Sequence, residues 1–125
     1  MADGTGANGR QLALESGETL ARLRVELPGL AGKVDAKQIA VWQEKIRMLV
    51  DDLDRIKEKM FLGTRDGAVI AQSALEKVHA LEDAVNRGIM GLPANEACWT
   101  VAKAMEAMAT DFGGLIERTR SQTIP

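Results

Sequence analysis

The chain has 125 residues, 46% hydrophobic and 27% charged, with a formal net charge of −2 from 16 basic and 18 acidic side chains. That is one domain's worth of chain, long enough to bury a core unaided and too apolar for wholesale disorder. The near balance of charge excludes the one-sided basic field of a nucleic-acid binder, and two Trp, two Phe and no Tyr are too few aromatics to interleave with cations.

Residues 1–9 hold Gly4, Gly6 and Gly9 among small neighbours and read as a flexible tail ahead of a single helical domain over 10–121. The tail carries no basic-then-apolar signal segment, and no run approaches the roughly 18 apolar residues of a membrane span. The expectation is a protein made in the cytoplasm, any later export using a route that needs no cleavable signal.

From about Arg10 to Leu27, Leu20, Leu23 and Leu27 form a helical stripe, with a possible break at Ser16-Gly17 because glycine weakens a helix interior by about 1 kcal/mol. Pro28-Gly29 stops this helix, and residues 28–34 form a loop. Asp35 with Gln38 three residues later is a capping pair, and the helix it starts is expected to run to Leu62. Its apolar positions Ile39, Trp42, Ile46, Leu49, Leu53, Ile56 and Met60 alternate by three and four, so they fall on one stripe.

Gly63 is expected to end that helix in the left-handed conformation, with Thr64 to Gly67 completing a tight turn. A third helix follows over about Gly67 to Arg87, turning Ala71, Ala74, Leu75, Val78, Leu81 and Val85 inward, and Gly88 ends it. Pro93 opens a fourth helix reaching about Thr119, with a second three-four stripe at Cys98, Val101, Met105, Met108, Phe112 and Leu115. Gly113-Gly114 inside it suggest a kink or the close approach of a neighbour. No segment alternates with period two over the length of a strand. The reading is all-α: an up-and-down antiparallel bundle of about four helices, with sequential neighbours packed together.

The helix over 35–62 has more apolar surface than one seam needs. If Ile39 and Trp42 face the core, Val41, Met48 and Leu62 lie on a line about 130° away. That line meets either another helix of the bundle or another polypeptide. Trp99 sits off the main stripe of the fourth helix, where it covers the Leu92-Pro93 connection or anchors an interface. Val41, Met48, Leu62 and Trp99 are therefore the candidate partner-binding residues, for a protein partner or a second copy in a homodimer.

Evidence for chemistry is thinner. Glu76-Lys77-Val78-His79 has the Glu-x-x-His spacing of carboxylate-bridged di-iron bundles, but His79 is the one histidine in the chain, so a site would need two chains. Cys98, the one cysteine, excludes an internal disulfide and reads as a small buried hydrophobe. Arg55, Lys57 and Lys59 interleave with Asp54 and Glu58 as a solvated face. No catalytic triad, phosphate loop or cofactor motif is legible, nor is a short recognition helix with a basic face for DNA. The expectation is a non-enzymatic interaction protein without cofactor; the alternative is a metal- or small-ligand-binding bundle that assembles as a dimer around Glu76 and His79.

The 33–120 region resembles small actinobacterial helical proteins of the WXG type and their longer relatives, which are associated with type VII secretion. The resemblance rests on Val34-Asp35 opening a long helix, the turn at Gly63 to Gly67, a second helix, and a final helix rich in Ala and Met. It implies a non-enzymatic protein that pairs as helical hairpins and lacks a cleaved signal. The Trp-x-Gly turn itself is absent, the tryptophans reading Trp42-Gln43-Glu44 and Trp99-Thr100-Val101. With no tyrosine there is no Tyr-based C-terminal export signal, and Phe112-Gly113-Gly114 matches the turn only loosely. No functional residue is carried over.

Overall fold

The computed structural model describes residues 8–122. Four helices account for most of them: α1 (Gly9–Glu26), α2 (Ala36–Ile56), α3 (Arg65–Met90) and α4 (Ala94–Ser121). Short 3-10 turns at Leu27–Leu30 and Met60–Gly63 lie at opposite ends of the bundle, and no strand occurs among the described residues. The all-α bundle read from the two stripes is the observed fold. Of the expected tail, residues 1–7 lie outside the described residues; Asn8 and Gly9 belong to the helix start, Asn8 Oδ1 accepting from the Gln11 N–H at 3.2 Å.

The α2 stripe from Ile39 to Ile56 is buried, as are Val101, Met105, Met108, Phe112 and Leu115 of α4. Cys98 is only half-buried and packs at the core's edge. Helix direction alternates along the chain, but the neighbours are not those that sequence order suggests. α3 packs most extensively on α4, then α1 on α3, then α1 on α2 and α2 on α4, whereas α2 and α3 barely touch.

Named contacts fix the directions. Gly9 abuts Ala68 at one end of the bundle and Leu30 abuts Gly88 at the other, so α1 and α3 run parallel. Gly17 meets Leu53, and Gln43 donates to the Arg24 carbonyl at 2.9 Å, so α1 and α2 run antiparallel. Ser73 Oγ donates to Asp111 Oδ2 at 2.9 Å and Gly88 lies against Ala97 and Val101, so α3 and α4 are likewise antiparallel. The square is two hairpins, α1/α2 and α3/α4, with α2 and α3 on a diagonal that the 57–64 segment crosses.

That crossing explains the largest departure from the expected helix limits. α2 ends at Ile56 and not at Leu62, and Lys59 takes an extended conformation. A helix continued to Leu62 would carry it toward the outer face by the 100° step. Breaking the helix instead tucks Phe61 and Leu62 under the bundle and leaves Met60, expected in the core stripe, exposed. Gly63 is not left-handed; the one positive φ among the described residues is at Gly32 (φ 94°). The stop comes from burial, and the next start from Thr64, whose Oγ1 accepts from the Gly67 N–H at 3.0 Å.

Four other glycines differ from expectation. α1 runs through Ser16-Gly17 unbroken, because Gly17 admits Leu53 to a distance no Cβ would allow: an added Cβ would lie 2.7 Å from Leu53 Cδ2. Gly88 does not end α3 but sits inside it as a niche for Leu30, and the helix closes two residues later. Gly113 and Gly114 neither receive a neighbour nor break α4: no atom lies within 4 Å of a Cβ built at either.

Candidate functional site

The candidate surface begins with the capping of α2. Asp35 Oδ2 accepts from the Lys37 N–H at 3.1 Å, which fixes where the helix starts and hence which residues face out. With the core stripe buried against α1 and α4, Val41 and Met48 fall seven residues apart on one line of the outer face. They are 60% and 50% exposed respectively, the two most exposed large apolar side chains of α2. Leu62, expected on the same line, is fully buried in the bundle end. It is removed from the candidate surface because α2 stops before reaching it.

Beside this line runs a groove between α2 and α4, the thinnest of the four helix seams. It encloses about 410 Å³, and its lining includes the buried edges of Trp42 and Met105, the small Ala102 and Ala109, and charged walls at Lys45 and Glu106. Lys45 belongs both to the groove and to the outer face of α2. Ala102 and Ala109 stand beside the α4 core stripe, seven residues apart. Their seven-residue spacing was the available signal, since two small side chains on one line leave a channel where larger neighbours set the distance between the helices.

Trp99 is 64% exposed near the start of α4, its ring 5.3 Å from Lys103 Nζ. With Arg87, Leu92, Asn95, Glu96 and Thr100 it lines a second hollow of about 490 Å³ at the α3–α4 connection. Trp99 thus borders Leu92, as one reading of the sequence had it, while leaving most of its indole uncovered.

No family model, curated protein or solved structure matches this chain. What the surface can do must therefore be read from its own charges. Arg47 joins Glu44 and Asp51, each at 2.6 Å, along the α2 edge. The Arg47 hydrogen bond holds the Glu44 carboxyl below the ordinary glutamate value of 4.5. A lowered folded-state value means the pair favours folding above pH ~4.5, and the contribution fades as pH falls through that lower value. In a carboxyl NMR titration, Glu44 is expected to show a midpoint below the ordinary glutamate value, rising in Arg47→Gln; an identical midpoint in both would contradict the pairing. Asp52 is held by Arg55 at 3.2 Å and Arg120 at 3.8 Å, whereas Lys37 and Lys45 have no ion pair among the described residues.

Glu76 and His79, three residues apart on α3, each meet another side chain of the same chain. Glu76 Oε2 accepts from Gln72 Nε2 at 3.3 Å, and His79 Nε2 lies 3.7 Å from Glu15 Oε2 of α1. Among the described residues no three His, Cys, Asp or Glu side chains gather as a metal-holding group, and no helix is long and apolar enough to cross a membrane.

Proposed function

We propose that this is a non-enzymatic helical interaction protein that binds through the outer face of α2, with Val41 and Met48 at its centre and the α2–α4 groove beside them. Trp99 supplies a further apolar contact at the bundle end. One observation carries the reading: α2 has filled its core seam with the stripe from Ile39 to Ile56, yet keeps a second apolar line in water. Burying a methionine or valine stabilises an interface by about 1.5–3 kcal/mol, and among the described residues these two stay largely uncovered. The WXG resemblance adds signal-less export linked to type VII secretion to the same proposal.

The test is the double variant Val41→Asp/Met48→Asp. Both sites are exposed, so helix content by circular dichroism should stay at the parent level. Self-association in light scattering, or recovery of a partner in pull-downs, should be lost. Unchanged mass together with unchanged pull-downs overturns the reading.

A further inference from the structure

We infer that the occupant of the α2 face is a second copy of this chain, its α2 lying antiparallel across this one about a two-fold axis that passes between Glu44 and Lys45. The inference rests on the interaction reading above and adds to it a partner and a register. Its basis is the order of charges along the exposed line. Lys37, Val41, Glu44 and Lys45, and Met48 follow one another on the outer face at helical spacing, and Asp52 continues the line at its α4 edge, half-buried beside Arg120.

In an isologous contact, a residue before the axis meets the residue equally far beyond it. Val41 and Met48 are equidistant from the midpoint of Glu44 and Lys45, and so are Lys37 and Asp52. The two-fold therefore sets apolar against apolar at Val41 and Met48. It sets Lys37 against Asp52 of the second copy and Glu44 against its Lys45. Each match occurs twice, and Lys37 and Lys45 are cations without an ion pair among the described residues.

The competing registers fail on sign. Centring the axis on Val41 opposes Lys37 to Lys45. Centring it on Met48 opposes Glu44 to Asp52. A parallel pairing faces every residue with itself, so each charge meets its like. Like charges held opposite one another are destabilising, and such juxtapositions exclude wrong pairings more strongly than matched pairs add affinity. Of these arrangements, the register centred between Glu44 and Lys45 is free of them, and it alone also sets Val41 against Met48.

The line from Lys37 to Asp52 is about 22 Å long at 1.5 Å per residue, a contact of the small, transient class. Self-association is therefore expected with Kd on the order of 10–100 µM, weakening as salt screens the rim pairs.

The experiment is sedimentation equilibrium across concentration with the full chain and the single variants Lys37→Asp and Asp52→Lys. Each variant alone opposes like charges twice in its own dimer and should self-associate about tenfold more weakly. Mixed in equal amounts they oppose Asp to Lys at both places, and the mixture should regain the parent's association. Circular dichroism of each variant establishes that the bundle is intact. Because Asp52 also meets Arg55 and Arg120, and Glu44 meets Arg47, the swap Lys45→Glu with Glu44→Lys at the axis is read together with the first, each mixture being compared with its own single variants.

Two folded single variants that stay dissociated when mixed, in both swaps, overturn the register. A parent chain that keeps its 13.5 kDa monomer mass at several hundred micromolar overturns the second-copy assignment. If Val41→Asp/Met48→Asp still abolishes a pull-down in that case, the interaction reading survives without it. If that variant dimerises as the parent does and its pull-downs are also unchanged, both fall.

Discussion

Gly67→Ala is expected to lower stability by about 2 kcal/mol, and the melting temperature by about 10 °C, although alanine is the better helix former by about 1 kcal/mol. A Cβ at Gly67 would lie 2.1 Å from the Phe61 carbonyl oxygen and 3.0 Å from Leu62 Cα, and backbone cannot step aside as a side chain can. Gly9 faces the same turn from α1, where a Cβ would lie 2.3 Å from the Leu62 carbonyl oxygen. The first turns of α1 and α3 thus close on the chain segment that crosses between the hairpins. Gly114→Ala is the control. With open space around it, that change should stabilise by about 0.5–1 kcal/mol through helix propensity alone. Urea denaturation of the two variants checks the pair: loss at Gly67 and gain at Gly114.

Phe112→Ala is expected to cost about 3–5 kcal/mol, a large share of the stability of a domain this size. Phe112 is among the largest wholly buried side chains, and its removal leaves a void amid close-packed neighbours. Trp99→Ala, the removal of a larger aromatic from the same helix, should shift stability by no more than about 0.5 kcal/mol. The contrast follows from burial, since Trp99 is mainly in water. Thermal unfolding followed by circular dichroism separates the two, and equal losses would mean that α4 is rotated from the position described.

The three-four stripes were sufficient to recognise the helices and most of the core, because a buried helix face repeats with the geometry of the helix itself. Residues such as Ile46, Leu53, Met105 and Phe112 stand where that repetition puts them. Val41 and Met48 were legible for the same reason, being off-stripe. Leu62 was misassigned because the helix was extended through residues that carry no local stop: Lys57, Glu58 and Lys59 are ordinary helix formers, and the break is imposed by burial of Phe61 and Leu62. The diagonal placement of α2 and α3 was invisible on similar grounds, since periodicity reports which face is inward but not which helix it meets. Glycine misled in both directions. Gly17 and Gly88 are seats for leucines of other elements, and such a role has no signature in the sequence around them.

The thinness of the α2–α4 seam has a consequence for how a docked copy would be felt. α2 is gripped by two neighbours through modest areas and hardly by α3, so it is the wall of the bundle that comes away most cheaply. A mate laid along its outer surface would act as a brace on that wall. Its grip would be returned as added resistance to unfolding, growing with the logarithm of protein concentration. Dilution, which removes the brace, would loosen α2 ahead of the remaining three rods.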